Sequence, residues 1–459
     1  MKLFRTKPIE IDSTAINTDL KRVLGSVDLV FLGVGAIIGA GIFVLTGIAA
    51  ANYAGPAVVL SFVVAGIAVT FAALSYAELA TSIGGAGSAY GYSYAGLGEF
   101  VAWMIGWMLI LEYSVAIAAV SVGWSGYINN SLAAIGIHLP EMLIKAPSHG
   151  GWINLPAMLI ILVLGTLLAT GAKVTAKLNA IMVLVKIAAI LLFISIALFH
   201  VNTSYWTPFM PFGWEGVMTG AASIFFAYIG FDAVSTAAEE TQNPQKDLPI
   251  GILGSLAICT LFYMLVATLL TGIVPYSSLD VPSPVSDSLL RIGVKWASGV
   301  IAIGAIVGLT TVILVLYFGL TRIIFAISRD GLLPPFFSYI NKKTSSPVRV
   351  ILLTGLVMAS IAGLTPLNEI VELTNIGTLG AFTVVCAGVA ILRYTKPDLQ
   401  RPFKTPFSPG IPLLGILSCG YLVIQLSGAT WIRFSIWLII GLVIYFTYSY
   451  HHSKLSNPR

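Results

Sequence analysis

One pattern repeats from end to end of this chain: an apolar stretch of twenty or so residues, a short polar loop, then another apolar stretch. Twelve stretches fall at 28–51, 57–82, 99–130, 152–171, 178–200, 213–238, 249–273, 297–328, 347–364, 367–393, 411–428 and 430–450. A helix needs about 20 apolar residues to cross hydrocarbon. Backbone in lipid must satisfy its own N–H and C=O groups, which leaves only helices or a closed barrel. Runs this long and uniform are helical, not barrel strands of about ten alternating residues. Of the 459 residues only 9% are charged, and mean hydropathy is +0.94, against roughly 25% charged in a soluble domain. The expectation is an all-α integral membrane protein with twelve transmembrane helices. Spans three and eight are long enough to tilt or protrude.

The loops orient the spans. Cytoplasmic loops carry an excess of Lys and Arg. With the N-terminus placed in the cytoplasm, only Lys145, Arg291, Lys295 and Arg433 of the 24 basic residues face outside, and Lys186 lies within a span. An even number of spans then puts both termini inside. The net charge of +5 follows from this bias and does not point to nucleic acid. The first 26 residues are polar and lack an early apolar core, so no cleavable signal peptide is expected. Cys259, Cys386 and Cys419 lie within spans and read as buried thiols, without disulfide or metal spacing.

Two spans are written to be weak. GAIIGAGIF (Gly35 to Phe43) puts three glycines into span one, each weakening a helix interior by about 1 kcal/mol relative to alanine. FFAYIGFD (Phe225 to Asp232) puts a glycine and a carboxylate into span six. Span six opens a second group of five spans as span one opens the first, and an odd group size makes the two groups enter the membrane from opposite sides. Gly-interrupted spans at corresponding positions point to a transporter with inverted repeats. A break exposes N–H groups at one half-helix end and C=O groups at the other. The first suits a carboxylate and the second an ammonium, so a zwitterion with both charges on one carbon fits the pair. Gly35 and Gly39 also form the small-xxx-small spacing of close helix packing.

Ionisable groups within spans are functional candidates. Lys186 lies about 12 Å inside span five at 1.5 Å per residue, deep enough to exchange a proton rather than only snorkel to the headgroups. Glu112, mid-span three, can select substrate charge, carry a proton or pair internally. Asp232 can cap the half-helix after the span-six break or sense a substrate ammonium. Glu78 reads as an interfacial carboxylate. The histidines (His138, His149, His200, His451, His452) fall in loops or at span ends, so no core relay or metal cluster is expected. GGAGSAYGY (Gly84 to Tyr92) lacks the full phosphate-binding pattern and reads as a re-entrant or interfacial loop. With no P-loop, nucleophile elbow or HExxH, coupling is expected to come from an ion gradient, and no enzyme or cofactor is expected.

The pieces GAIIGAGIF, ALSYAELATSIGGAGSAYGY, FFAYIGFDAVSTAAEETQNPQKDLPIGI and SRDGLLP resemble the amino acid–polyamine–organocation (APC) superfamily of permeases, within it the cationic amino acid transporters and their bacterial relatives. With the span spacing, the resemblance covers nearly the whole chain. It implies a LeuT-like five-plus-five inverted repeat with two peripheral C-terminal helices. The segments are then 1–26 cytoplasmic, 27–200 the first repeat (spans one to five), 201–395 the second (spans six to ten), 396–450 the last two spans, and 451–459 a cytoplasmic tail.

The resemblance also implies a site. The carboxylate of a free L-amino acid would meet amides of Ile38, Gly39, Ala40 and Gly41. Its ammonium would meet carbonyls near Ile37 and at Phe226, Ala227 and Ile229. Phe226 would gate the site. Lys186 would stand where sodium-coupled relatives hold their ion, beside span-one carbonyls and span eight around Gly308 to Thr311, which implies proton coupling. Ala40, where relatives often carry a hydroxyl residue, and Leu316 would give an apolar wall suited to small neutral or branched side chains; Glu112 keeps cationic ones open. The partners are then an amino acid, protons and the plasma-membrane bilayer, without nucleic acid; the sequence says nothing of a small membrane subunit or sterol-like lipid. An exchanger or polyamine carrier is the alternative transporter; a channel or membrane-embedded enzyme fits less well.

Overall fold

A computed structural model describes residues 5–7, 24–83, 88–171, 176–238, 241–341, 343, 344 and 346–456. Most of the expected N-terminal segment, Gly84 to Gly87, Glu239, Glu240 and the tail from 457 lie outside the described residues. The described chain is all helix joined by turns, with three isolated bridges and no strand among the described residues.

α1 (Ser26–Ile37) stops after 12 residues. A π-helical turn at Gly41–Leu45, then α2 (Thr46–Ala49) and a second π turn at Ala50–Ala54 carry the chain on. Gly55, at φ 60°, reverses it into α3 (Val58–Ile83). α4 (Ser88–Gly96), α5 (Glu99–Ala134), α6 (Leu155–Ala169) and α7 (Ala176–Ala197) follow. α8 (Gly213–Ile224) runs into a 3-10 turn at Phe225–Tyr228, and the four-residue α9 (Ala233–Thr236) lies beyond it. The remainder is α10 (Pro244–Ile273), α11 (Pro284–Arg291), α12 (Lys295–Arg329), α13 (Val348–Leu364), α14 (Leu367–Thr395), α15 (Gly410–Ile424), α16 (Gly428–Ile444) and α17 (Tyr450–His452).

Eight helical runs are long and apolar enough to cross a membrane: Gly41–Ile83, Glu99–Ala134, Asn179–Ala197, Gly213–Ser235, Pro244–Ile273, Lys295–Arg329, Leu367–Thr395 and Gly428–His452. α1, α6, α13 and α15 are apolar but hold 12, 15, 17 and 15 residues, roughly 18 to 26 Å at 1.5 Å per residue. α1 is short because the break at Ile38 interrupts its span, whereas for α6 and α15 apolar loop residues extend the signal past the helix ends. Trp152 and Ile153, for example, precede the true start of α6, where the Asn154 side chain accepts from the Ala157 amide at 3.3 Å. Spans three and eight are long as expected, at 36 and 35 residues.

α5 is the central post, packed along α12 and α14, while α1 lies along α10 and α13 along α6. α16 is pinned to α5 by Trp107 and Trp437, which stack at 4.3 Å and exchange indole N–H bonds to each other's carbonyls at 2.8 and 3.1 Å. Its other face, with Ile432, Ile436 and Ile439, is exposed. That apolar face suits lipid, which removes the penalty water would impose.

Two expectations are corrected here. The stretch read as a loop is helical from Ser88 onward, as α4; its tyrosines supply the buried face that its glycines hid. Tyr90 and Tyr94 are buried, and the Tyr90 hydroxyl donates to Asp330 at 2.8 Å. Glu78 is not interfacial: it is 2% exposed. It takes a forked pair of bonds from Arg393 at 3.0 and 2.6 Å and one from the Thr405 amide at 2.7 Å, with Arg401 at 3.5 Å. This buried knot ties the end of α3 to the end of α14 and the segment after it. Both described termini gather at the same end. Lys7 pairs with Asp330 at 2.6 Å, the Asp330 carbonyl accepts from the Lys454 amide at 3.1 Å, and Glu99 accepts from Tyr445 at 3.2 Å and from Ser453 at 2.5 Å.

Candidate functional site

The two Gly-marked stretches are both broken, and they touch. α1 ends where Ile38 leaves helical geometry (ψ 101°). The second span breaks at Ile229 (ψ 139°) and Gly230 (φ 111°). Gly230 needs its missing side chain twice over: a positive φ suits glycine, and a Cβ there would lie 2.9 Å from the Ala36 carbonyl oxygen. A Cβ on Gly41 would fall 2.3 Å from the Ala227 Cβ and 2.4 Å from its Cα. Gly35 and Gly39 abut side chains instead, Val183 at 2.9 Å and Val312 at 3.1 Å from the ideal Cβ. The glycines thus allow close packing and let the two breaks meet main chain to main chain.

The carbonyls freed at the breaks are met by side chains. The fully buried Lys186 ammonium donates to Gly35 O and to Ile38 O, the latter at 2.9 Å. The Tyr263 hydroxyl from α10 donates to Ile37 O at 3.0 Å and to Ala227 O. Thr46 donates to Gly41 O at 3.0 Å and Tyr127 to Phe43 O at 2.7 Å, which satisfies the π turn. The Asn375 amide donates to Ala222 O and Ser223 O at 2.8 and 3.0 Å, where α8 gives way to the 3-10 turn. Each contact helps to offset the desolvation of a carbonyl at or beside a break, and Gly41 O takes the Thr46 backbone amide as well.

Of the residues the sequence singles out, Ile37, Ile38, Gly39, Ala40, Gly41, Phe226, Ala227 and Ile229 all lie buried at the two breaks. The Phe226 carbonyl is taken by the Ile229 amide at 3.2 Å. Gly308 sits against the Lys186 stem, its ideal Cβ 3.2 Å from the lysine Cβ. Thr311 turns its hydroxyl to its own helix, donating to Gly308 O at 2.6 Å rather than to Lys186. Leu316 is buried on α12.

Asp232 stands at the N-cap position of α9 without a side-chain cap bond. One of its oxygens accepts from Tyr113 at 2.8 Å; the other has no hydrogen-bond partner among the described residues. Both oxygens of buried Glu112 and the hydroxyl of buried Tyr76 are likewise without a partner. Glu112 faces Asp232 and Thr378, but the Thr378 hydroxyl is turned to Thr374 O at 3.0 Å. Two buried carboxylates therefore share one region, and neither enters a salt bridge among the described residues. The sequence reading missed Tyr263, Tyr113 and Tyr76. Tyrosine inside an apolar span looks like a packing residue, and only the fold shows which hydroxyls meet a break.

A cleft enclosing about 450 Å³ together with its open mouth lies on the far side of the breaks from the gathered termini. Leu45, Ile48, Tyr53, Ser223, Asn368 and Glu372 are among the residues lining it. It begins one helical turn beyond Gly41 and Phe226.

The model of the family described as "Amino acid permease" matches residues 24–448. The chain is 50% identical to the branched-chain amino acid permease BcaP of Bacillus subtilis, over 99% of both chains. It is 46% identical to the methylthioribose transporter of the same organism, again over 99% of both. It is also 32% identical to human cationic amino acid transporter 4, over 99% of this chain and 91% of that protein. With its broken, membrane-length helices, the chain belongs to the amino acid permease family, as a multi-pass membrane transporter rather than an enzyme.

Proposed function

We propose that the chain imports L-amino acids with small neutral or branched side chains across the plasma membrane by proton symport. It does so by alternating access of a twelve-helix, LeuT-like five-plus-five inverted repeat. Both termini are cytoplasmic. The observation that carries the reading is the ammonium of Lys186, wholly buried and bonded to Gly35 O and Ile38 O on either side of the first break. A fixed cation held by break carbonyls does the work of a bound metal cation, and unlike a metal it can exchange a proton. Glu112, a buried carboxylate without a hydrogen-bond partner among the described residues, supports the same reading as a second group able to carry a proton.

The touching breaks at Gly41 and Ala227 suit a ligand with an ammonium and a carboxylate on one carbon. Phe226, Ala40 and Leu316 line the proposed side-chain pocket with apolar groups, in keeping with the substrate named for BcaP. The orientation is supported by charge: Arg393, Lys396 and Arg401 lie at the end that gathers the termini. The other end is assigned far fewer basic residues, Lys145, Arg291, Lys295 and Arg433. A second reading, a neutral thiosugar cargo, is favoured by the transporter of methylthioribose at 46% identity.

Purified protein in liposomes decides between them. Leucine, alanine, arginine and methylthioribose are offered under an inward pH gradient, and separately under a sodium gradient. Concentrative uptake of leucine or alanine driven by pH alone is expected, and Lys186→Ala should abolish its pH dependence. Flux seen only with amino acid preloaded inside makes the protein an exchanger and removes the coupling role of Lys186. Uptake of methylthioribose in place of amino acids establishes the second reading.

A further inference from the structure

We propose that Tyr263 is a positioning residue for the substrate ammonium: its hydroxyl draws the carbonyls of Ile37 and Ala227, one from each break, to a single point. The proposal rests on the amino-acid reading above. Tyr263 is fully buried on α10. Its ring is held edge-on to Tyr228 at 5.3 Å and tilted against Phe62 at 5.2 Å, so packing fixes where the hydroxyl points. The hydroxyl bonds to Ile37 O at 3.0 Å and to Ala227 O. Two oxygens within hydrogen-bond reach of one atom lie at most about 6 Å apart, a gap one ammonium can bridge with two N–H···O bonds.

The chemistry of the hydroxyl explains why a tyrosine serves here. It has one proton to donate and two lone pairs with which to accept. A single proton cannot satisfy two buried carbonyls at full strength, so the pair is gathered but under-supplied. An ammonium brings three N–H groups. Two reach the carbonyls and the third can be accepted by the Tyr263 oxygen. The hydroxyl therefore keeps the two half-helix ends convergent without substrate, and with it accepts from the ammonium while still donating to the second lone pair of one carbonyl. A lysine here would place a fixed positive charge where the ammonium binds, and a phenylalanine would gather nothing.

The test separates positioning from packing. Tyr263→Phe keeps the ring, and Tyr445→Phe is its control, because the Tyr445 hydroxyl donates to Glu99 at 3.2 Å, at the end that gathers the termini. Uptake of leucine gives KM and maximal rate; inhibition by 2-hydroxy-4-methylpentanoate, which has a hydroxyl in place of the ammonium, gives the comparison. Loss of one hydrogen bond predicts that Tyr263→Phe raises the leucine KM roughly tenfold, with maximal rate and hydroxy-acid inhibition changed less than about twofold. Tyr445→Phe should leave all three in place.

An unchanged leucine KM, or an equal loss for leucine and the hydroxy acid, overturns the proposal. If Tyr263→Phe does not fold, 3,5-difluorotyrosine at position 263 replaces it. That ring keeps the shape but accepts more weakly, so the leucine KM should rise several-fold with the hydroxy acid unaffected; no change overturns the proposal. Unmodified protein that carries no amino acid overturns this proposal together with the function it rests on, whereas an active parent with an indifferent variant overturns this proposal alone.

Discussion

Gly41→Ala is the sharpest perturbation available, because the added methyl has nowhere to go. It would lie 2.3 Å from the Ala227 Cβ and 2.4 Å from the Ala227 Cα. Two carbon atoms settle at about 3.5 Å or more, so the breaks must part by roughly 1 Å. The obstacle is main chain and cannot rotate aside. Overpacking of this kind costs about 1–3 kcal/mol of stability, which a protein of ordinary stability survives. The transport cost is separate. A shift of about 1 Å stretches the 3.0 Å bond between Tyr263 and Ile37 O beyond hydrogen-bond range. It also moves the Ala227 carbonyl away from a bound ammonium. Two contacts weakened by about 1 kcal/mol each raise the KM for leucine some 30-fold.

The control is Gly39→Ala, whose new methyl would meet only the end of the Val312 side chain at 3.1 Å. A shift of a few tenths of an ångström accommodates it, so KM should stay within about threefold. Both variants are reconstituted at matched monodispersity and assayed for leucine uptake against concentration. If Gly41→Ala keeps a KM within threefold of the parent, or Gly39→Ala is the more damaging, close approach of the two breaks is not what the glycines provide.

Other expectations concern the frame around the breaks. Glu78→Ala removes the common acceptor of Arg393 and the Thr405 amide and leaves a partly exposed guanidinium and a buried amide without that partner, at about 1.5–3 kcal/mol; thermal melting in detergent should fall by several degrees. Trp437→Ala removes the stacked partner of Trp107 at about 3–5 kcal/mol; melting should fall while the leucine KM holds within twofold, since α16 stands away from the breaks. Lys7→Ala removes a pair whose lysine is 40% exposed, worth at most about 1 kcal/mol; its melting point should move by no more than a few degrees.

Glycine placement made the breaks legible in the sequence. Gly35, Gly39, Gly41 and Gly230 mark the places where helical geometry costs most and close approach costs least, and the chain breaks beside them. The rule that buried charge must find a partner drew attention to Lys186, Glu112 and Asp232. What stayed hidden depends on which surfaces meet. Glu78 looks interfacial because its partners, Arg393, Arg401 and Thr405, follow more than 300 residues later. Tyr90 and Tyr94 look like part of a glycine-rich loop until α4 turns them inward. Tyr263 sits in TLFYMLV, an apolar run with no local sign that one hydroxyl must reach two carbonyls on other helices. α6 and α15 proved shorter than their apolar stretches because hydropathy counts loop residues and helix residues alike.

On the proposed reading, the same geometry explains how relatives of this chain can bear names for branched-chain and for cationic amino acids. Main-chain amides and carbonyls at the two breaks recognise only what every amino acid has in common, and main chain does not change when side chains do. Choice among side chains is left to the side chains proposed for the pocket: Phe226, Ala40, Leu316 and Glu112. One methylene in an apolar pocket discriminates by only about 1–3 kcal/mol, whereas a site built to hydrogen-bond a polar group rejects ligands lacking it far more strongly. Strong selection should therefore fall on the ammonium, through Ile37 O, Ala227 O and Tyr263, and weak selection on the side chain. Leucine, valine and alanine should compete within about two orders of magnitude of one another, while the hydroxy acid of leucine competes far more weakly than leucine itself. Equal competition by the hydroxy acid would mean that the carbonyls at the breaks serve the fold alone.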